Sequence, residues 1–279
     1  MGRAVIIDAH LHLWDLARSE YGWITPELGE LHATFTPEQA AAELAAVGVG
    51  SAVLVQAEDS VRDTELMLDA ARGHAWVAGV VGWVQLDDPA VAEQQLDRWQ
   101  AAPRFCGVRH LVHDDPRDDF LRLPNVRASL RGLAERGLPF DVPDAWPRNL
   151  AATADLAAAL PELRIVVDHL GKPPLGSDEW ERWRATLRAV AAHPNTTAKL
   201  SGLQVPGRPF TAAEVRPAWE AALELFGPER LMWGSDWPLT VLTGGYAHAW
   251  RVLSSLIAEL SPDERAMILA GTASAVYAL

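Results

Sequence analysis

The chain has 279 residues, 49% of them hydrophobic, enough for one large core, and no linker-like stretch divides it. Its net charge of −13, without any block of basic residues, excludes nucleic acid and anionic membrane as main partners. The lone cysteine, Cys106, excludes an intramolecular disulfide and a cysteine metal cluster, as suits a reducing compartment.

The N-terminal MGRAVIIDAH lacks the apolar stretch and small-residue cleavage site of a secretory signal. The longest apolar run, 75–84, is about half of the ~20 residues needed to span a bilayer. These features predict a cytoplasmic protein with a small-molecule partner, no membrane and no nucleic acid, and they leave a homo-oligomer open.

The first apolar run, 4–7, leads into His10 and His12 of AVIIDAHLHLW. Side chains two apart in a strand point the same way, so both imidazoles converge where the strand ends, a start for a metal or acid/base site. A bare HxH is equally consistent with two ordinary histidines; the rest of the chain decides. Residues 15–36, rich in Trp, Tyr and Pro, form a long insertion expected to act as part of a lid.

Further β-branched runs at 51–56, 77–84, 107–112, 139–142, 164–168, 196–200 and 230–233 bring the candidate strands to eight. Helical composition fills 37–47, 62–72, 90–101, 125–136, 149–160, 178–192 and 212–226, often opening on Pro or Asp and closing near Gly. Two more helices follow, 246–259 and, after a SPDE cap, 265–270. Strands alternating with helices imply a parallel sheet. Eight of them predict an α/β fold, a single, distorted (β/α)8 TIM-type barrel domain over 1–279 with extra C-terminal helices. No GxGxxG follows any strand, which disfavours a nicotinamide enzyme.

A barrel of this kind carries its site at the C-terminal strand ends. There the sequence places His10 and His12, Gln56 and Glu58, Trp83 and Gln85, Arg109 and His110, Asp141, Asp168 and His169, Lys199 and Ser201, and Asp236. Packing does not explain so many polar groups, although Arg109, Asp141 and Asp168 could simply neutralise one another. Strand alternation allows only one of Asp168 and His169 to face the axis, and His169 is the choice; by the same rule Arg109 competes with His110. His32, His74, His113, His193 and His248 read as surface residues. Of twelve tryptophans, Trp14, Trp83 and Trp237 adjoin the ionisable strand ends, as pocket walls or as core.

In order, DAHLHLW, VLVQAE, GVVGWVQL, GVRHL, LPFDV, VVDHLGKP, AKLSGL and LMWGSDWP resemble the amidohydrolase superfamily. The similarity is to its branch of fuconolactonase-like and rhamnonolactonase-like sugar-acid lactonases, and it covers essentially the whole chain. It implies a distorted barrel and a hydrolase that adds water to a cyclic ester. The matching metal positions are His10, His12, His169 and Asp236. Binuclear members carry a bridging lysine or glutamate on the fourth strand and a histidine on the fifth; here stand Arg109 or His110, and Asp141, which argues against two metals. One divalent ion, zinc, or none remain, because the related pyrone-dicarboxylate lactonases work without metal.

The resulting expectation is opening of a sugar-acid lactone by water that Asp236 activates, with His169 at the centre and Arg109 or Lys199 steadying the oxyanion. Trp14, Trp83 and Trp237 would face the sugar ring, and Gln56, Glu58, His110 and Asp141 would lie among the substrate-binding groups. A metal-dependent decarboxylase of the same superfamily and a non-catalytic ligand-binding barrel are the rival readings.

Overall fold

The computed structural model describes residues 6–205 and 207–279. Its eight strands, all parallel, pair in sequence order: β1 (Ile7–Leu11), β2 (Ser51–Val55), β3 (Val77–Gly82), β4 (Phe105–Arg109), β5 (Phe140–Val142), β6 (Ile165–Val167), β7 (Thr196–Leu200) and β8 (Leu231–Trp233). Of the first expected strand, Ala4 and Val5 lie outside the described residues. Helices α1 (Pro37–Val47), α2 (Val61–Gly73), α3 (Pro89–Gln100), α4 (Pro124–Glu135), α5 (Leu150–Ala159), α6 (Trp180–Ala191) and α7 (Ala212–Phe226) connect them, and α8 (Tyr246–Ile257) follows. This is the TIM-type barrel that the alternation of elements predicts.

Local chemistry sets several boundaries. The Thr36 side chain accepts from Gln39 N, and Gln39 Oε1 accepts from Thr36 N, a capping box that starts α1; Ser261 and Glu264 repeat it at α9 (Pro262–Ala266). The chain then continues through a π-turn into α10 (Thr272–Tyr277), beyond the helix expected over 265–270. Among the described residues, no helix is long and apolar enough to cross a membrane.

The two faces of the barrel wall separate cleanly. Leu11, Phe140, Val142, Ile165, Val167, Ala198 and Leu200 pack outward under the helices, while Ile7, Ala9, Val53, Val55, Val166 and Met232 form an inner apolar layer with Val276 and Tyr277 of α10. Alternation therefore turns Asp141, Asp168 and Lys199 inward.

In β1 the pairing to β2 slips between Asp8 and Leu11, so that Ala9 joins the inner layer and Leu11 the outer one. Such a bulge re-aims the following side chains, here His10 and His12. Asp8 braces it: Oδ1 accepts from His10 N at 3.0 Å and Ser235 N at 2.9 Å, and Oδ2 accepts from Tyr246 OH at 2.9 Å. Burial raises its pKa to about 6 even against these bonds. The barrel closes between β1 and the segment after β8, where Asp236 N donates to His10 O and His12 N to Trp237 O. A Cβ on Gly234 would come within 2.7 Å of His10 Cβ, so this approach requires glycine. Asp8→Ala, which orphans two buried N–H groups and a phenol, should cost about 2–4 kcal/mol. A lowered urea midpoint at unchanged slope would show it.

Candidate active site

Above the apolar layer lies a buried ionic one. Lys199 Nζ donates to Asp141 Oδ2 at 2.6 Å, lies 3.0 Å from Asp168 Oδ1 and 3.2 Å from His10 Nδ1, and sits over the Tyr277 ring. Arg109 Nη1 donates to Asp168 Oδ2 at 3.2 Å, and its Nη2 to Gln56 O at 2.5 Å. Burial opposes ionisation of Asp168, but Lys199, His10 and Arg109 hold it well below the ordinary carboxylate range. Lys199 likewise loses to burial and gains more from Asp141 and Asp168, so its ammonium is held above its ordinary value.

On this layer rest His10, His12, His169 and Asp236. His12 Nδ1 is 2.8 Å from Val55 O; a carbonyl only accepts, so Nδ1 carries the proton and Nε2 presents a lone pair. His169 Nδ1 is held by Ser201 Oγ at 2.9 Å. His10 Nε2 and His12 Nε2 lie 3.0 Å apart, and Asp236 Oδ1 is 3.8 Å, 3.5 Å and 3.8 Å from Nε2 of His10, His12 and His169. Burial lowers all three imidazole pKa values, so the rings are neutral at pH 7. Asp236 is ionised: burial opposes this, but His169, His12 and His10 hold it below the carboxylate range. Gln204 Nε2 donates to Asp236 Oδ2, while Oδ1 is buried without a hydrogen-bond partner.

This donor set fits a divalent metal. Ligand bonds of ~2.05 Å in a tetrahedron give edges of about 3.3 Å, close to the 3.0–3.8 Å spacings among His10, His12 and Asp236, while His169 groups with His10 and Asp168 and stands 3.8 Å from Asp236; neutral nitrogens with a carboxylate suit zinc. The unpartnered Asp236 Oδ1 is the atom such an ion would satisfy.

The backbone here is strained. His169, Leu170, Gly171 and Lys172 all have positive φ (55°, 54°, 69° and 64°), as does Asp236 (58°). Since β6 stops at Val167 and the chain turns left-handed, strand alternation ceases to apply. Asp168 and His169 therefore both reach the axis, against the expectation that only one could. Gly202, φ 58°, leaves room for the His169 ring, which a Cβ would overlap.

His12, His169, Asp236 and Arg109 border a cavity of about 220 Å³ that Trp23, His113, Asp144 and Lys172 also line. Trp23 comes from the insertion and is pinned by its Nε1 donating to Ala57 O, so the insertion supplies one wall. His113, expected at the surface, faces this cavity.

Other strand-end residues do not line it. Lys199 and Asp141 are wholly buried in the ionic layer beneath, away from any bound carbonyl. Gln56 is spent on Asp59 and Arg109 O, and Glu58 accepts from Gly22 N. His110 stacks on Phe120 at 4.1 Å and binds Trp83 Nε1 and Asp115, so Arg109 faces the site in its place. Trp14 lines a separate groove, and Trp237 packs edge-on against Phe35. Asp144 and Lys172 carry no signal in the strand pattern because they stand on loops beyond the strand ends, and His113 reads as a surface residue for the same reason. Gly171, a glycine directly after VVDHL, was the one signal of the left-handed turn that carries Lys172 inward.

A family profile described as Amidohydrolase matches residues 7–279. The L-fucono-1,5-lactonase of Burkholderia ambifaria is 36% identical over 280 residues, covering 97% of this chain and 94% of the relative. A crystal structure of an amidohydrolase from Burkholderia multivorans with bound Zn superposes with a TM-score of 0.89 at 31% identity, covering 99% of this chain and all of that one. The 5-carboxyvanillate decarboxylase of Sphingomonas paucimobilis shares the fold, with a TM-score of 0.69 at 16% identity over 99% of this chain and all of that one.

Proposed function

The chain belongs to the amidohydrolase family, and from that premise we propose that it is a hydrolase opening a sugar-acid lactone, with residues 1–279 acting as one domain in the cytoplasm. The observation that carries this reading is ionised Asp236, whose Oδ1 lies within 3.8 Å of Nε2 of the three neutral imidazoles, on a cavity that His12 and His169 also line. His10, His12, His169 and Asp236 would hold one divalent ion, zinc, the metal bound in the structure of the similar Burkholderia multivorans amidohydrolase. When bound, such an ion supplies Lewis acidity, easing deprotonation of water and polarising a carbonyl.

The side chains account for the rest. Asp236 Oδ1 accepts the proton of the attacking water and returns it to the leaving alkoxide. His10 and His12 are anchored below and His169 from the side, so the water and ring carbonyl meet fixed groups. Arg109 lines the cavity and is tied to this centre through Asp168, and it donates to the developing oxyanion. Lys199 acts from beneath, holding Asp168 and His10. The cavity mixes Arg109 and Lys172 with Asp114 and Asp144, which suits a neutral, hydroxyl-rich ring better than a dicarboxylate.

A pH-indicator assay over a panel of aldonolactones tests the reading. Acid release without evolution of carbon dioxide is the expected result. Carbon dioxide from an aromatic acid, with no lactone opened, would establish the decarboxylase, and binding of a lactone without turnover would establish a non-catalytic barrel.

A further inference from the structure

The left-handed turn after β6 does more than present His169. In a 3₁₀-like turn residues i and i+3 eclipse, and Lys172 N donates to His169 O at 2.9 Å, so the Lys172 side chain shares the cavity with the His169 ring. Positive φ at four consecutive residues, three of them not glycine, is a cost the fold sustains to place both.

Lys172 Nζ ends 3.7 Å from Asp144 Oδ1, beyond the range of a direct N–H···O bond. That oxygen is buried with no hydrogen-bond partner, and Asp144 is itself held at φ 40°. On the same cavity His113 Nδ1 is also buried and unpartnered. Native proteins rarely leave such atoms unsatisfied, and both residues line the cavity that a ligand would enter. The gap has a definite chemical complement. A hydroxyl accepts from an ammonium and donates to a carboxylate at once, whereas a carboxylate ligand would be repelled by Asp144 and an ammonium by Lys172.

We propose that Lys172 and Asp144 form a clamp for a ring hydroxyl of the substrate, making them the residues that select hydroxylated lactones over unsubstituted ones. This rests on the lactonase reading for the reaction but not for the binding. Burial opposes ionisation of Asp144, but the Lys172 ammonium beside it holds its carboxyl below the ordinary value, so the acceptor is present at neutral pH. A site built to bond a hydroxyl discriminates strongly against the analogue lacking it, because its own polar groups are then left unpaired.

The test compares Asp144→Asn and Lys172→Met with the parent on two probes, the aldonolactone best opened in the panel and δ-valerolactone, whose ring bears no hydroxyl. Both substitutions are at partly exposed positions, and circular dichroism checks the fold. The ratio of kcat/KM for the hydroxylated to the bare lactone should fall by about 100-fold in each variant. A ratio within about threefold of the parent's would overturn the clamp, as would equal losses on both probes, which would place the pair at the reacting carbonyl. If the parent opens no lactone, the reading of the reaction fails, and calorimetric Kd values for L-fucono-1,5-lactone and δ-valerolactone decide the clamp alone. Selective weakening of the first in both variants supports it; no selective weakening, or no binding to the parent, overturns it.

Discussion

Asp236→Asn should lower kcat by about 10³- to 10⁴-fold while the far-ultraviolet circular dichroism stays that of the parent. The carboxamide keeps the shape of the side chain and an oxygen that can accept from Gln204 Nε2, so the local packing survives. What disappears is the one ionised acceptor facing the three imidazoles: Oδ1 lies within 3.5–3.8 Å of all three Nε2 atoms and has no other partner. An amide cannot take the proton of water, and it is a poorer ligand for a divalent ion than a carboxylate. Both losses act on the same step, so KM should change much less than kcat. Near-normal turnover in this variant would remove Asp236 from the mechanism and with it the proposed route of the proton.

The second large effect concerns stability. Lys199→Met should cost about 3–5 kcal/mol, because it leaves Asp141 and Asp168 buried and facing each other without the ammonium between them. Asp141 already has one unpartnered oxygen, and its remaining partner would be Tyr277 OH at 2.7 Å. The pH dependence follows from the two shifts. Asp168 is depressed, so its contribution is present above the unfolded carboxylate value near pH 4 and is lost as pH falls through its lower folded value. Lys199 is raised, so its contribution is complete below the unfolded lysine value and is lost as pH climbs through the higher folded one. The gap in unfolding free energy between parent and variant should therefore be widest from about pH 5 to 10 and narrow toward acid. Adding Asp141→Asn to the variant should recover part of it. Urea unfolding at three pH values measures all of this, and a gap that does not vary with pH would mean the cost is one of packing.

The barrel was legible in the sequence because its strands are short β-branched runs buried on both faces, separated by helices with ordinary start signals. The α1 and α7 boundaries match the composition residue for residue, and the other helix bounds through α8 move by one or two positions at most. The proposed site residues His10, His12, His169 and Asp236 stand at strand ends, and Asp236 Oδ1 lies within 3.8 Å of Nε2 of all three histidines. Less could be read where tertiary context sets the backbone. The bulge in β1, the left-handed turn at Asp168–Gly171 and the loop bearing Asp144 each depend on neighbours that periodicity does not see. Strand-end position also failed to separate the cavity wall from the layer beneath it. Lys199 and Asp141 satisfy the same sequence criterion as Arg109, and Asp141 even pairs in register with Arg109, yet both are wholly buried and their ions pair with each other below the cavity. The tryptophans chosen for nearness to ionisable residues are mostly core; Trp23, from the middle of the insertion, lines the cavity.

Titrating metal-free protein with zinc while following aldonolactone hydrolysis tests the central claim most directly. The site formed by His10, His12, His169 and Asp236 predicts a rate that rises linearly to one equivalent and then stays flat. Full activity before any zinc is added, from protein shown to contain no metal, would contradict it and leave the chemistry to Asp236 and its cationic neighbours alone.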